Sequence, residues 1–387
     1  MKNEIFLDNS STTKPYDDVI DFMSQISKEV YGNPSSLHTK GIAAEREIKK
    51  ARQLIADSLR AQSNEIIFTS GGTESNNLAI RGYLNPNPRK GKHIITTTVE
   101  HPSVMEVYQS LAGKGYTVDY LNVDNDGIIS IDELKEKINE NTALISIILV
   151  NNEVGSIQPI EQLVRIKNQI NKNTVIHVDA VQGYGKMEIH PKALGIDLMS
   201  LSSHKIHGPK GIGAIFMNQS LKMSPIIYGG GQESMLRSGT ENVPGICGFG
   251  KAVEISFANI NNNHENVRKL KEIFVNSIME NIEKFKIISP INASPYILNV
   301  AFEGIKAEVL LHHLEEKSIF VSTGSACSSR KNIHSRVLRS MGVTSKYIEG
   351  AIRFSFSHFN TEEQIIKTVE ALVDILPRIR KKPKLTN

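Results

Sequence analysis

Cysteine is scarce, with two copies in 387 residues, so a disulfide framework is excluded and a reducing, cytoplasmic setting is expected. A strong excess of one charge is also missing. The formal net charge is +4, from 45 basic and 41 acidic residues, and no concentrated basic face of the kind that binds nucleic acid stands out. Long apolar runs are absent too. The longest, around residues 143–150, is too short to cross a bilayer. Met1-Lys2-Asn3-Glu4 passes straight into the strand-like Ile5-Phe6-Leu7, so no secretory leader is expected there.

What is present suits an ordinary globular protein: 40% hydrophobic and 22% charged residues, with ample length for a core. From about residue 65 to 217, short apolar runs alternate with amphipathic segments. Strands are predicted at 66–68, 93–95, 117–120, 144–150 and 174–178, with helices at 131–138 and 160–170 among them. This is the rhythm of a mostly parallel, doubly wound α/β sheet covered on both faces. Beyond residue 255 the rhythm changes. Asn261-Asn262-Asn263 reads as a turn. A long helix to about 285 follows, then strands at 296–302, 319–321 and 352–356, and a last helix capped by Thr361. The expected division is a large domain over 16–255 and a smaller α+β domain from 1–15 and 256–387. The basic tail 378–384 reads as a solvated terminus.

Four segments carry chemistry. Thr69-Ser70-Gly71-Gly72-Thr73-Glu74-Ser75 follows a strand and opens a helix, an arrangement in which backbone N–H groups and the helix dipole receive phosphate. Asp179 ends the apolar run Val175-Ile176-His177-Val178, where ligands of open α/β sheets bind. A carboxylate there calls for a cationic partner, such as a protonated pyridine nitrogen. Lys205 stands in Ser202-Ser203-His204-Lys205-Ile206-His207-Gly208-Pro209, among small residues that permit partial desolvation and a lowered pKa, as a Schiff-base amine needs. His204 and His207 have no acidic or cysteine partner nearby in sequence, so no metal is expected. Cys327 lies in Ser322-Thr323-Gly324-Ser325-Ala326-Cys327-Ser328-Ser329, a run that suits an exposed thiol. Cys247, in Pro244-Gly245-Ile246-Cys247-Gly248, reads as a buried packing thiol.

Together with Asn33-Pro34-Ser35-Ser36, Asn151-Asn152-Glu153-Val154-Gly155, Arg237-Ser238-Gly239-Thr240 and Arg353-Phe354-Ser355, these segments resemble the cysteine desulfurases of the NifS/IscS type. Those are class-V-aminotransferase-like, fold-type I enzymes that use pyridoxal 5'-phosphate (PLP). The resemblance runs from Leu7 to about Ser357. It implies that Lys205 holds the cofactor, Asp179 meets the pyridine nitrogen and Gln182 the ring hydroxyl. His101 is implied to stack on the ring and to share in proton transfer. Gly72, Thr73, Ser202 and His204 would hold the phosphate, joined by Thr240 from a second subunit, which implies a homodimer. Asn152 would touch cofactor or substrate, and Arg353 with Asn33 would hold the substrate carboxylate. Ser10-Ser11 stand where the family usually has alanines, and Ser203 where it often has glycine.

The activity so implied takes sulfur from L-cysteine, giving L-alanine and a persulfide on Cys327. The sulfur then passes to an acceptor protein, for iron–sulfur cluster assembly or tRNA and cofactor thiolation. The serine-rich Cys327 segment resembles the group with a long cysteine loop rather than the SufS-like group. Three alternatives remain at this level: a PLP aminotransferase or lyase of the same fold, a selenocysteine lyase, and a non-catalytic sulfur-relay scaffold.

Overall fold

The structure is a computed structural model that describes residues 4–323 and 335–380. A short strand, β1 (Ile5–Phe6), precedes the strands of the central sheet: β2 (Ile66–Thr69), β3 (His93–Thr97), β4 (Thr117–Leu121), β5 (Thr142–Ile148), β6 (Val175–Asp179), β7 (Leu198–Ser202) and β8 (Gly213–Met217). They lie in the order β2-β8-β7-β6-β5-β3-β4. Strands β4, β3, β5, β6 and β7 pair in parallel, and β8 runs antiparallel to both β7 and β2.

Every residue of β2, β3, β5, β6 and β7 is buried, so these five strands are covered on both faces. Alternation along the strands divides the core. Ile66, Phe68, Ile145, Ile147, Ile176 and Val178 belong to one buried cluster, and Ile67, Leu144, Val175 and Leu198 to another. The second cluster is covered by the helices α3 (Gly72–Leu84) and α4 (Pro102–Ala112), through Leu78, Tyr83, Val104 and Tyr108. Asp179 therefore ends β6 on the side that α3 and α4 cover, in step with Val175 and His177.

After the central sheet come β9 (Phe285–Ile287), β10 (Ile297–Phe302), β11 (Ile319–Phe320) and β12 (Ala351–Ser355). Strands β12, β10 and β9 form an antiparallel sheet in that order, and β11 pairs in parallel with β1. The N-terminal segment joins the two sheets. It bridges β12 at Asp8 and Ser355, then runs to the turn after β7, where the Thr13 N–H donates to the His204 carbonyl at 3.0 Å.

The turn expected at Asn261-Asn262-Asn263 is the first turn of a helix, Ile260–Asn281. The break falls two residues earlier, at Asn259, with φ −123° and ψ 14°. Burial of Val267, Leu270, Phe274 and Ile278 at helical spacing outweighs the weak propensity of three asparagines placed at an end. The helix also stops at Asn281, and Phe285 begins β9 instead. Thr361 caps the last helix, Glu362–Ile379, in a reciprocal box with Gln364. Arg378 lies inside that helix, and residues 381–384 of the basic tail lie outside the described residues. Among the described residues, no helix is long and apolar enough to cross a membrane.

Strand β2 is an edge, and an edge leaves N–H and C=O groups that need partners. Here side chains supply them. The Phe68 N–H donates to Glu233 at 2.8 Å, and Arg52 of α2 (Thr39–Ser58) donates to the Ile66 carbonyl at 2.6 Å. Arg52 also grips the Glu233 carboxylate through both terminal nitrogens, each at 2.7 Å. Glu233→Ala would strand a mostly buried guanidinium and a strand N–H, at a cost of about 3 kcal/mol. The urea midpoint is expected to drop well below wild type, with Glu233→Gln in between. An alanine variant as stable as wild type contradicts this role.

Candidate active site

A cavity of about 320 Å³ opens at the carboxyl ends of β5, β6 and β7, where open α/β sheets bind ligands. Gly72 and Thr73 reach it from the first turn of α3, and His101 from the entrance to α4. Asn152 comes from the turn after β5, Asp179 and Gln182 from the end of β6 and the turn beyond it. Ser202, His204 and Lys205 follow from the end of β7, and Arg353 from β12. Asn33 and Thr240 are exposed and do not line the cavity. Cys327 lies outside the described residues.

One end of the cavity is built for an anion. Gly71 precedes α3 at φ +149°, a conformation that suits glycine. A Cβ on Gly72 would stand 2.9 Å from Val181, so the start of α3 packs this closely against Val181 only because that side chain is absent. The Ser202 hydroxyl is buried beside this turn with no partner among the described residues. An orphaned hydroxyl facing a helix N-terminus fits a phosphate group, which would accept its proton and the N–H groups of α3.

The opposite end is acidic. Asp179 is buried; it accepts the Val181 N–H at 3.0 Å on one oxygen and the Asn76 amide at 2.8 Å on the other. The same Asn76 nitrogen donates to the Ser103 hydroxyl at 2.8 Å, which lies 2.7 Å from His101 Nδ1. Burial holds the His101 pKa below its ordinary value, with Lys205 and Arg336 acting the same way and Asp179 opposing. His204 is pushed down to about 4, again chiefly by burial.

Lys205 and Arg353 are held by the N-terminal segment. Lys205 Nζ donates to the Ser10 and Ser11 carbonyls at 2.5 and 2.7 Å. Arg353 is 4% exposed; it donates to Asp8 at 2.9 Å, the Ser11 hydroxyl at 2.6 Å and the Asn152 carbonyl at 2.9 Å. Its Nε is buried without a partner among the described residues, so this N–H is open to a ligand carboxylate. Ser10 and Ser11, which stand where the family usually has alanines, add bonds here. The Ser10 hydroxyl donates to the Asn152 carbonyl at 2.9 Å and accepts from Gln182 at 3.2 Å.

Sequence reasoning missed Asn76, Ser103, Lys186, Glu100 and the lining position of Glu153. Lys186 is a buried amine that donates to Gln182 Oε1 at 3.1 Å, with its pKa lowered to about 7 by burial and by Lys205 and Arg353. Its only sequence signal is its spacing, one helical turn after Gln182. Cys247 is a buried thiol whose pKa burial pushes up to about 12, an inert state.

Glu100 accepts the Thr97 hydroxyl at 2.8 Å and the Ile148 N–H at 2.9 Å on one oxygen, and its other oxygen has no partner among the described residues. Burial raises its pKa from 4.5 to about 8. The folded state thus holds this proton to higher pH than the unfolded chain. The contribution to stability is complete below pH 4.5 and is lost as pH rises to about 8. Glu100→Gln removes that loss. Its gain in Tm over wild type is expected to grow up to about pH 8 and then level off; a gain that shrinks with rising pH contradicts the assignment.

Comparison with known proteins matches residues 5–367 to the class-V aminotransferase family. A protein of Methanosarcina thermophila named cysteine desulfurase IscS is 42% identical, covering 99% of this chain and 94% of its own. Another of that name from Dictyoglomus turgidum is 40% identical over 98% and 96%. Among solved structures, a NifS-like protein superposes with a TM-score of 0.92 at 38% identity, covering 97% of this chain and all (100%) of its own. A structure described as SspA in complex with cysteine gives a TM-score of 0.82 at 34% identity, over 92% of this chain and 100% of that one. Fold, cavity and full-length likeness agree: the chain belongs to the class-V aminotransferase family, in the company of its cysteine desulfurases.

Proposed function

We propose that this protein is a cysteine desulfurase that forms L-alanine from L-cysteine and leaves the sulfur as a persulfide on Cys327. The carrying observation is one cavity that joins a phosphate-ready helix N-terminus, a buried carboxylate, a lysine and an arginine with an unused buried donor. PLP, implied by the family, supplies an electron-withdrawing ring that stabilises negative charge on the substrate's Cα.

Ser202 and the first turn of α3 would hold the phosphate, with Thr73 and His204 beside them. Asp179 would keep a proton on the ring nitrogen, and Gln182 would face the ring hydroxyl. Arg353 Nε would take the substrate carboxylate, with Asn152 nearby. Lys205 would carry the cofactor at rest and then move the Cα proton. The Cys327 thiolate bonds to the substrate sulfur, the carbon–sulfur bond breaks, and its electron pair stays with the carbon skeleton that becomes alanine. A second thiolate, on an acceptor protein, takes the sulfur onward. Iron–sulfur scaffolds and tRNA thiolases are acceptors of suitable chemistry. The exposure of Thr240 is what a homodimer requires if it completes the phosphate site of the other subunit.

Cys327→Ala is expected to retain the bound, coloured cofactor while losing sulfide and alanine formation. An alanine variant that turns over L-cysteine at the wild-type rate contradicts the proposal. It would favour a lyase of the same fold, which needs no thiol.

A further inference from the structure

His101 is the N-cap of α4, and its ring caps the helix through Nδ1, which accepts the Ser103 N–H at 3.2 Å. The Ser103 hydroxyl lies closer, at 2.7 Å, and its direction is fixed from behind. Asn76 donates to that hydroxyl at 2.8 Å and to Asp179 at 2.8 Å from the same nitrogen. The amide cannot be turned over, because its carbonyl would then face the Asp179 carboxylate. Its carbonyl oxygen is accordingly left buried with no partner among the described residues. Asn76 takes one lone pair of the hydroxyl oxygen, and because Nδ1 already accepts the Ser103 N–H, the hydroxyl proton is directed at Nδ1. Nδ1 thus receives two donors and must present a lone pair, which leaves the ring proton on Nε2.

We propose that Ser103 and Asn76 are positioning residues that hold His101 as the neutral, Nε2-protonated tautomer, so that it serves the cavity as a hydrogen-bond donor and, in place of the proton-transfer role the family resemblance implies, does not cycle through an imidazolium. This deepens the functional reading above and rests on it for the placing of substrate near His101.

An imidazolium needs a proton on Nδ1, where the Ser103 N–H already points. The hydroxyl can rotate away, but the amide cannot without unwinding the first turn of α4. Positive charge at a helix N-terminus is also opposed by the helix dipole. Of the charged groups facing the ring, Lys205 and Arg336 oppose protonation and Asp179 favours it, while burial is the largest influence and opposes it.

Histidine-selective nitrogen-15 NMR of the holoenzyme tests this, with the His101 signals identified by their loss in His101→Asn. The expected result is an unprotonated Nδ1 and a protonated Nε2 throughout the neutral range. In Ser103→Ala the ring should become easier to protonate, so its titration and the acid limb of kcat move to higher pH. At neutral pH kcat should fall roughly tenfold, the worth of one hydrogen bond, while Ser103→Thr restores both. An imidazolium or an Nδ1–H tautomer in wild type overturns the proposal. So does a Ser103→Ala variant whose ring titration is unchanged, whatever its Tm. The same sample assayed for alanine separates the two readings: an enzyme that makes none refutes the desulfurase reading, and the ring spectrum still decides the tautomer.

Discussion

Asp179 is a carboxylate at the buried end of a central strand, and the surrounding structure answers to it. A charge in that position is tolerated only if it is hydrogen-bonded and faces a cation. The fold provides two neutral donors, the Val181 N–H and the Asn76 amide. A cation in the cavity completes the arrangement, and a protonated pyridine ring meets that need. Opposite, the glycine turn before α3 and the orphaned Ser202 hydroxyl ask for the reverse charge. A ligand with a cationic ring and a phosphate satisfies both ends at once.

The N-terminal segment makes the second contribution. Residues 8–13 touch β12, the turn after β7 and the cavity floor, and their carbonyls receive Lys205. Asp8 and the Ser11 hydroxyl hold one terminal nitrogen of Arg353 and the Asn152 carbonyl holds the other, so Nε is presented in a fixed direction. One stretch of chain thus sets the places of both cationic side chains. Loosening it would disturb cofactor and substrate sites together.

Much of this was legible in the sequence, for physical reasons. Strand-then-glycine at residues 66–72 and a carboxylate ending an apolar run at 175–179 are local patterns, and both fall at the carboxyl edge of the sheet. Asn76, Ser103 and Lys186 were not legible, because their meaning lies in tertiary neighbours: nothing near Ser103 in sequence announces Asn76. The asparagines at 261–263 misled because composition suggested a turn, whereas four buried apolar side chains further along decided for a helix. Asn33 and Thr240 belong to a question one chain does not pose, since both are exposed here.

The central claim is that Lys205 carries the cofactor in a cavity shaped by Asp179 and Ser202. Lys186 is the natural competitor, a second buried amine with its pKa lowered to about 7. Borohydride reduction of the purified holoenzyme fixes the cofactor to the amine that carries it, and peptide mass spectrometry then locates the adduct. The account predicts a single pyridoxyl group on Lys205. An adduct on Lys186, or no adduct at all, would contradict it.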